Sequence, residues 1–405
     1  MSAIDRGRLA GDEVTDIAIV GGGVAGLGSA IALAKHGMRI TVIERRAQVG
    51  GIHRGDSLLP KTTALLFRWG LRAALEEAGA RPIHRLEIHA PGDRHVFEMA
   101  MTAEDAVHPY LVLPHARFEA VLMQRAMSLP NVRIVRPASF VDLIHETGSA
   151  RTCGVRYRRD GEVHALHCGL VLAADGQHSA VRKRLGIDYE TSSYDHAYLG
   201  LEADRPAGYR DAMRVHFHAR GGALLMPHPE RIGVGLLVDA GMARHWLTMP
   251  EAELAAELAR RAPILQGMAL HMDGAHVYEL TRAHAAAYAR PGAVIIGDAA
   301  HCTNPTAGQG MAMALDDAGI LADILGPRWT ARPADIDAAI DRYQALQRPV
   351  NARLVRNSDV LAKLYALRGP AWTALKLLGV TALSKPAMRG VTLPLVSKFL
   401  QEPQA

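Results

Sequence analysis

Cysteine is scarce in this chain: Cys153, Cys168 and Cys302 are the only three among 405 residues, an odd number with no metal-type spacing. That rules out a disulfide framework, gives no metal site to read from the sequence and fits a reducing compartment. Aromatic residues make up only 5% of the chain, and its arginines are scattered with no block of basic residues, which argues against a nucleic-acid surface. The net charge of +5 and a pI near 9.2 need no more explanation than a field that steers an anionic ligand. No uninterrupted apolar stretch reaches the roughly 18 residues of a membrane span. Residues 1–15 are polar and charged, without the apolar centre of a signal peptide, so a cytoplasmic protein without an integral span is expected. No internal repeat or low-complexity linker is visible.

What is present begins with DIAIVGGGVAGLGSAIALAKHGMRITVIER, from Asp16 to Arg45. Ile17 to Val20 read as a short buried strand, Ala25 to His36 have helical apolar spacing stopped by Gly37, and Met38 to Ile43 supply a second strand ending in Glu44. In that context Gly21 permits a tight turn, Gly23 lets backbone approach a pyrophosphate, and Gly26 lets helix and strand pack closely. Val24 and Ala25 open the helix, where N–H groups and the dipole favour phosphate. Glu44, with Arg45 beside it, is placed to accept hydrogen bonds from a ribose diol. The segment therefore reads as a dinucleotide site.

Two further motifs lie far along the chain. Leu170 to Ala173 is an apolar run leading into Asp175 and Gly176, then Ser179 and Arg182. Ala293 to Ile296 leads into Gly297, Asp298, Ala299, Ala300 and His301, then Pro305, Gly308, Gln309 and Gly310, and a helix through Asp317. This second strand, loop and helix start can hold a ribose hydroxyl at Asp298, and the amides near Gly310 and Met311 favour a developing anion. Each motif alone is ambiguous, since an Asp-Gly pair is most often a turn.

Together, GGGVAG with Glu44, ADGQHSAVR, and GDAAHCTNPTAGQG resemble the three signatures of the class A flavoprotein monooxygenases, the para-hydroxybenzoate hydroxylase type. The resemblance spans residues 14 to about 350. It implies an α/β fold: a Rossmann-like FAD-binding domain of the GR2 type, an inserted antiparallel β-sheet substrate domain and a C-terminal helical segment. It implies FAD, with NADPH or NADH as electron donor and molecular oxygen as co-substrate. It also implies hydroxylation or epoxidation of a hydrophobic aromatic or polyketide-like molecule through a flavin hydroperoxide. By the same likeness Gly21, Gly23, Gly26 and Glu44 would hold the ADP part of FAD, and Gly297 and Asp298 the pyrophosphate and ribityl region. Gly308, Gln309, Gly310 and Met311 would border the ring, Pro305 would sit against ring and substrate, and Asp175, Gly176 and Arg182 would take part in cofactor handling. Arg54 resembles the basic residue that contacts FAD after the second strand.

Two departures stand out. Where the family commonly has asparagine after Met311 this chain has Ala312, leaving ring positioning to backbone. The basic or amide residue that commonly opens the helix after Leu111 to Leu113 would be His115 or Arg117, and the sequence does not choose between them.

The chain divides on this reading into a discontinuous FAD-binding domain (12–75, 106–186 and 283–350), a substrate sheet (76–105 and 187–282) and a C-terminal helical segment (351–405). In the substrate sheet Met213, Val215 and Phe217 alternate with Arg214, His216 and His218, and Ile232, Val234, Leu236 and Val238 repeat the period of two. Tyr194, His196, His216, His218 and His228 are candidate polar groups toward substrate, none of which supports a catalytic role from sequence alone. Apolar residues between Leu354 and Leu400, interrupted by Lys376, Pro386 and Pro394, suggest helices packed on the FAD domain, with a lid or a membrane-touching tail as the alternative. The chief competitor is a reductase of the geranylgeranyl type, which would not use oxygen. A halogenase would need a WxWxIP segment, and Trp69, Trp246, Trp329 and Trp372 form no such pattern. A second complete glycine fingerprint, as in a two-Rossmann Baeyer–Villiger enzyme, is missing.

Overall fold

The apolar run Ile17–Val20 forms an inner strand of a six-stranded sheet in the computed structural model, which describes residues 13–48, 50, 55–103, 106–209, 211–330 and 332–384. Across the sheet the order is Ala289–Arg290, Ala293–Ile295, Leu170–Ala173, Ile17–Val20, Ile40–Ile43 and Val132–Val135. All pairings are parallel except that of the short edge strand. Strands buried on both faces carry continuous apolar runs, which is why IAIV, ITVI and LVLA show no alternation. Helix Val24–Ala34 packs against helices His115–Met127 and Gly310–Leu325. Ile17, Ile19, Leu27 and Ile31 are fully buried in the core thus formed, each worth about 1.5–3 kcal/mol. A four-stranded sheet from Glu13–Val14, Ser139–His145, Thr152–Arg159 and Glu162–His167 adds Leu143, Val155, Tyr157 and Leu166 to the same core.

The two inserted stretches meet in one eight-stranded sheet. Its order is His301–Cys302, Leu270–Ala285, Tyr189–Asp204, Arg231–Asp239, Ala223–Pro227, Ala212–His216, Arg85–Ala90 and Arg94–Ala100. The pairing is antiparallel except between Ala212–His216 and Arg85–Ala90, the seam where the separate insertions join. Alternation gives it two unlike faces. Ala197, Leu199, Leu201, Ala223, Leu225 and Val234 face outward beneath Trp246, Leu254 and Leu258 of two covering helices. Their neighbours Tyr198, Glu202, Leu224 and Met226 face the nucleotide-type domain.

One helix, Pro333–Ala366, runs through Pro349 and across the boundary read at residue 350. Its buried face, including Ile336, Ile340, Tyr343, Asn351, Leu354 and Val355, continues without a break, so packing outweighs the proline's lost hydrogen bond. A final helix, Pro370–Ser384, contacts the strand Arg94–Ala100 and leaves Trp372, Leu375 and Leu378 exposed. Lys376 donates to the Tyr365 and Leu367 carbonyls at the end of the long helix. Among the described residues no helix is long and apolar enough to cross a membrane.

Candidate functional site

Three adjacent parallel strands, Leu170–Ala173, Ile17–Val20 and Ala293–Ile295, each end in one of the three motifs, the Leu170–Ala173 strand lying between the other two. Loops at the carboxyl ends of neighbouring strands form the crevice where α/β sheets bind ligands. The contacts between them are short. A Cβ on Gly21 would lie 2.2 Å from the Ala174 carbonyl oxygen, and one on Gly297 2.8 Å from the Ala25 Cβ.

In the first loop the glycines divide their work. Gly21 has φ +106°, and a Cβ on Gly26 would stand 1.9 Å from the Gly21 carbonyl oxygen, so both positions are closed to any side chain. Gly23 differs: the nearest atom to its added Cβ, Glu119 Oε1, is 3.9 Å away. The space over Gly23 is a cradle that a side chain would fill and a pyrophosphate can enter. The helix that follows has no side-chain cap and no acid in its first turn, leaving its positive end for an anion.

Glu44 is buried and already engaged, with Oε2 accepting from the Gly22 amide at 2.6 Å and Oε1 from the Arg46 backbone and Nε at 2.7 and 3.0 Å. Arg46 in turn forks onto Glu119 at 3.1 and 2.6 Å, and Glu119 also accepts from the Gly50 amide. Burial opposes the Arg46 charge, yet Glu119 and Glu44 together hold its pKa above the ordinary arginine value. Arg45 is exposed. Arg46 and Glu119 are not singled out by the sequence, where the only signal for Glu119 is an acid near the start of the helix after Leu111–Val112.

The second loop is held from below. Asp317, fully buried on helix Gly310–Leu325, accepts from the Gly297 amide at 2.9 Å, His301 Nε2 at 2.7 Å and Asn351 Nδ2 at 3.0 Å. The sequence placed Asp317 only on a helix, while His301 stood inside the quoted motif without a role and Asn351 in a stretch read for its apolar spacing. Asp298 offers its carbonyl to the Tyr189 hydroxyl at 2.8 Å. Pro305 is exposed, Gln309 is buried, and the helix starting at Gly310 again has no side-chain cap and no acid in its first turn. Met311 packs at the margin of the main core, its methyl 3.8 Å from a Cβ built on Gly55, and Gly308 lies equally near the Tyr110 hydroxyl.

The Asp-Gly segment serves the framework. Asp175 Oδ2 accepts from the Ala180 and Val181 amides at 2.7 and 3.1 Å, Oδ1 accepts from the Ser179 hydroxyl, and Gly176 takes φ +83° at the turn. Arg182 is buried, lies 3.6 Å over the Tyr189 ring, and donates to the Ala299 and Gln177 carbonyls at 2.9 and 3.0 Å. It thus ties this segment to the Asp298 loop, and its burial lowers its pKa. Arg117 forms an exposed pair with Glu230 at 3.2 and 2.9 Å, whereas the His115 amide donates to Asp56 at 3.0 Å beside the first loop's continuation. Arg54 lies outside the described residues.

The sheet roofs this crevice with apolar residues. Met226, Leu224 and Met213 pack with Leu59, Ile83, Met101, Tyr110 and Val112, the Ser57 hydroxyl touches the Met226 sulfur at 3.8 Å, and Gly200 opposes Gly235 across the strands. Polar contacts across this face include Tyr198, bonded to Thr306 at 3.0 Å, and His196, whose Nε2 faces Asn304 at 3.5 Å, Asn304 itself accepting from Thr306. His228 is clamped between Glu202 at 2.8 Å and Asp56 at 3.1 Å. Burial alone would lower its pKa, but the two carboxylates raise it to about 9, and His228 pulls Glu202 down to about 2. The clamp joins roof to floor. Of the other candidates, Tyr194 packs with Tyr198, Leu237 and Tyr365. His216 pairs with Ala223 on the outward face, away from the crevice, and burial presses its pKa down to about 3. His218 is also depressed by burial and by Arg261.

Residues 14–358 match the family model described as "FAD binding domain". The chain is 27% identical over 387 residues to 3-demethoxyubiquinol 3-hydroxylase of Escherichia coli (strain K12), covering 92% of this chain and 96% of that one. It is 24% identical over 385 residues to 6-methylpretetramide 4-monooxygenase of Streptomyces rimosus, covering 93% and 91%. Among solved structures, p-nitrophenol 4-monooxygenase of Pseudomonas putida DLL-E4 superposes with a TM-score of 0.80 at 22% identity, over 97% of this chain and 100% of that one.

Proposed function

The chain belongs to the FAD-binding-domain family, and from that premise we propose that it is an FAD-dependent monooxygenase acting on a hydrophobic aromatic or polyketide-like molecule. The observation that carries this reading is the convergence of three loops from adjacent parallel strands on one crevice roofed by an apolar sheet. The open cradle at Gly23 and two uncapped helix starts, at Val24 and Gly310, suit the phosphates and the ring of FAD. Gly21, Gly23, Val24, Ala25 and Gly26 would hold the pyrophosphate from one side, and Gly297 and Asp298 from the other. His115 is better placed than Arg117 to face the cofactor, because the Arg117 guanidinium is committed to Glu230. When bound and reduced by NADPH or NADH, FAD supplies oxygen activation and transfer to an electron-rich carbon.

The chain's own part is to shape and to shield. Met213, Leu224, Met226 and Tyr110 would keep water from the reacting centre. The amides at Gly310 and Met311 would face negative charge on the ring. With Ala312 after Met311, that stabilisation rests on backbone and not on a side-chain amide. The relatives named as hydroxylase and monooxygenase favour oxygen use over the reductase alternative.

The test is direct. Purified protein should be yellow with bound flavin, and NADH or NADPH oxidation should rise with oxygen uptake when hydrophobic phenols and fused aromatics are supplied, with a product heavier by one oxygen. A protein that binds no FAD, or one that reduces substrate without consuming oxygen, would end this reading.

A further inference from the structure

On the outward face of the roof, away from the crevice, the seam between the two insertions brings together side chains that are far apart in sequence. His216 at the end of its strand stands in register beside His89, and the next strand sets His95 opposite His89. The His89 and His216 rings stack at 4.9 Å, and the His95 ring meets His89 edge-on at 5.5 Å. Between the last two strands a tight turn puts Asp93 at φ 62° and aims it back at the pair. Asp93 Oδ1 lies 2.9 Å from His89 Nδ1 and 3.7 Å from His216 Nδ1.

Three observations separate this cluster from an ordinary polar patch. His216 is 1% exposed, yet neither of its ring nitrogens has a hydrogen-bond partner, a cost of about 1–3 kcal/mol that burial of an unsatisfied polar group carries unless something else satisfies it. One donor atom from each of His89, Asp93 and His216 lies within 4.8 Å of the others. Tetrahedral zinc with ligand bonds of 2.0–2.2 Å spaces its ligand atoms about 3.4 Å apart, so the 2.9 and 3.7 Å separations bracket what an ion requires. Finally, His89 Nε2 lies 3.3 Å from Glu87, a buried carboxylate. A ligating histidine that donates its far ring nitrogen to a carboxylate is fixed in tautomer and orientation for a metal. Arg214 pairs with Glu87 at 2.8 Å and so holds that carboxylate in place beside His89.

We propose that His89, Asp93 and His216 bind a divalent transition-metal ion of the zinc type, with a fourth position open to solvent beside the exposed His95. The ion would staple the Arg85–Ala100 hairpin to the end of strand Ala212–His216, locking the parallel seam of the roof. No metal site was legible in the sequence, because its donors sit in two separate insertions and no cysteine takes part.

Tag-free full-length protein, freed of metal with a chelator and desalted, would be titrated with ZnCl2 by calorimetry and with CoCl2 by visible absorption. A single equivalent should bind with a Kd on the order of micromolar or tighter, raise Tm, and give tetrahedral cobalt bands without the charge-transfer absorption of thiolate ligands. H216N and D93N should each weaken binding at least tenfold, while H164N, far along another sheet beside Tyr157, should leave it unchanged. Because Asp93 sits in a half-exposed turn, D93N keeps the test decisive if H216N does not fold. Flavin content of D93N should equal that of the parent. Absence of zinc binding at micromolar concentration, or binding that D93N and H216N leave intact, overturns the proposal.

Discussion

The first glycine loop and the second, around Gly297 to Gly310, present the same kind of uncapped helix start to one crevice, but they are built by opposite means. The first is shaped by backbone sterics: Gly21 and Gly26 touch carbonyl oxygens so closely that only hydrogen fits. The second is shaped by side chains from elsewhere, chiefly Asp317 and, beyond it, Asn351 on the long helix. A loop made by sterics announces itself in sequence as glycine, whereas a loop made by buried polar partners does not.

Four substitutions sharpen that contrast. The largest effect is expected at Gly26, where G26V must displace backbone that lies 1.9 Å from the new Cβ. It should cost more than about 3 kcal/mol and abolish flavin retention, seen as loss of the cooperative thermal transition and of yellow colour. D317A strips the acceptor from three buried donors, and at about 1–3 kcal/mol for each group left unsatisfied a loss of several kcal/mol should appear in denaturant melts. Were D317A to match the parent, the claim that side chains build the second loop would be wrong.

Next is the clamp between roof and floor. H228Q leaves Asp56 and Glu202 without their cation and should destabilise by roughly 3 kcal/mol, as broken buried pairs do. Its pH dependence has a definite sign. His228 is raised from 6.5 to about 9, so its contribution is full below pH 6.5 and lost as pH rises through 9. Glu202 is lowered from 4.5 to about 2, and Asp56 is also lowered, so theirs is full above pH 4.5 and lost as pH falls through 2. The Tm difference between parent and H228Q should therefore be greatest between pH 4.5 and 6.5 and shrink on either side. A difference that grew toward pH 9 would contradict the charged clamp.

The smallest effect on stability, and the most telling for the site, is expected at Gly23. With 3.9 Å to the nearest atom, G23A should melt within about 0.5 kcal/mol of the parent. Its methyl would nevertheless fill the cradle, so FAD affinity should fall at least tenfold, about 1.4 kcal/mol, in a fluorescence titration. Equal affinity would show that the phosphates do not pass over Gly23.

Much of the site was legible. Gly21, Gly23 and Gly26, the strands before and after them, and the helix start at Gly310 follow from local pattern and turn chemistry. Less legible were the assignments inside each motif. Asp175 spends its carboxylate on the start of the helix that follows it, and Arg182 donates to the Ala299 carbonyl of the neighbouring loop, contacts that the motif itself does not announce. Arg46 was overshadowed by Arg45, its neighbour in the same doublet, because side-chain direction after a strand end depends on which partner, here Glu119, folds into reach. The helix through Pro349 crosses the boundary expected at residue 350, because its continuous buried face is a long-range fact that a local breaker does not override.

By itself the sequence determined the α/β class, the three loops and their order, since period, glycine and helix ends are encoded within a few residues of where they act. Only the tertiary structure decided which polar groups those loops rest on, which face of the roof each histidine takes, and that His89 and His216 become neighbours. Those outcomes depend on strand register and burial between residues separated by most of a domain, and no local preference specifies them.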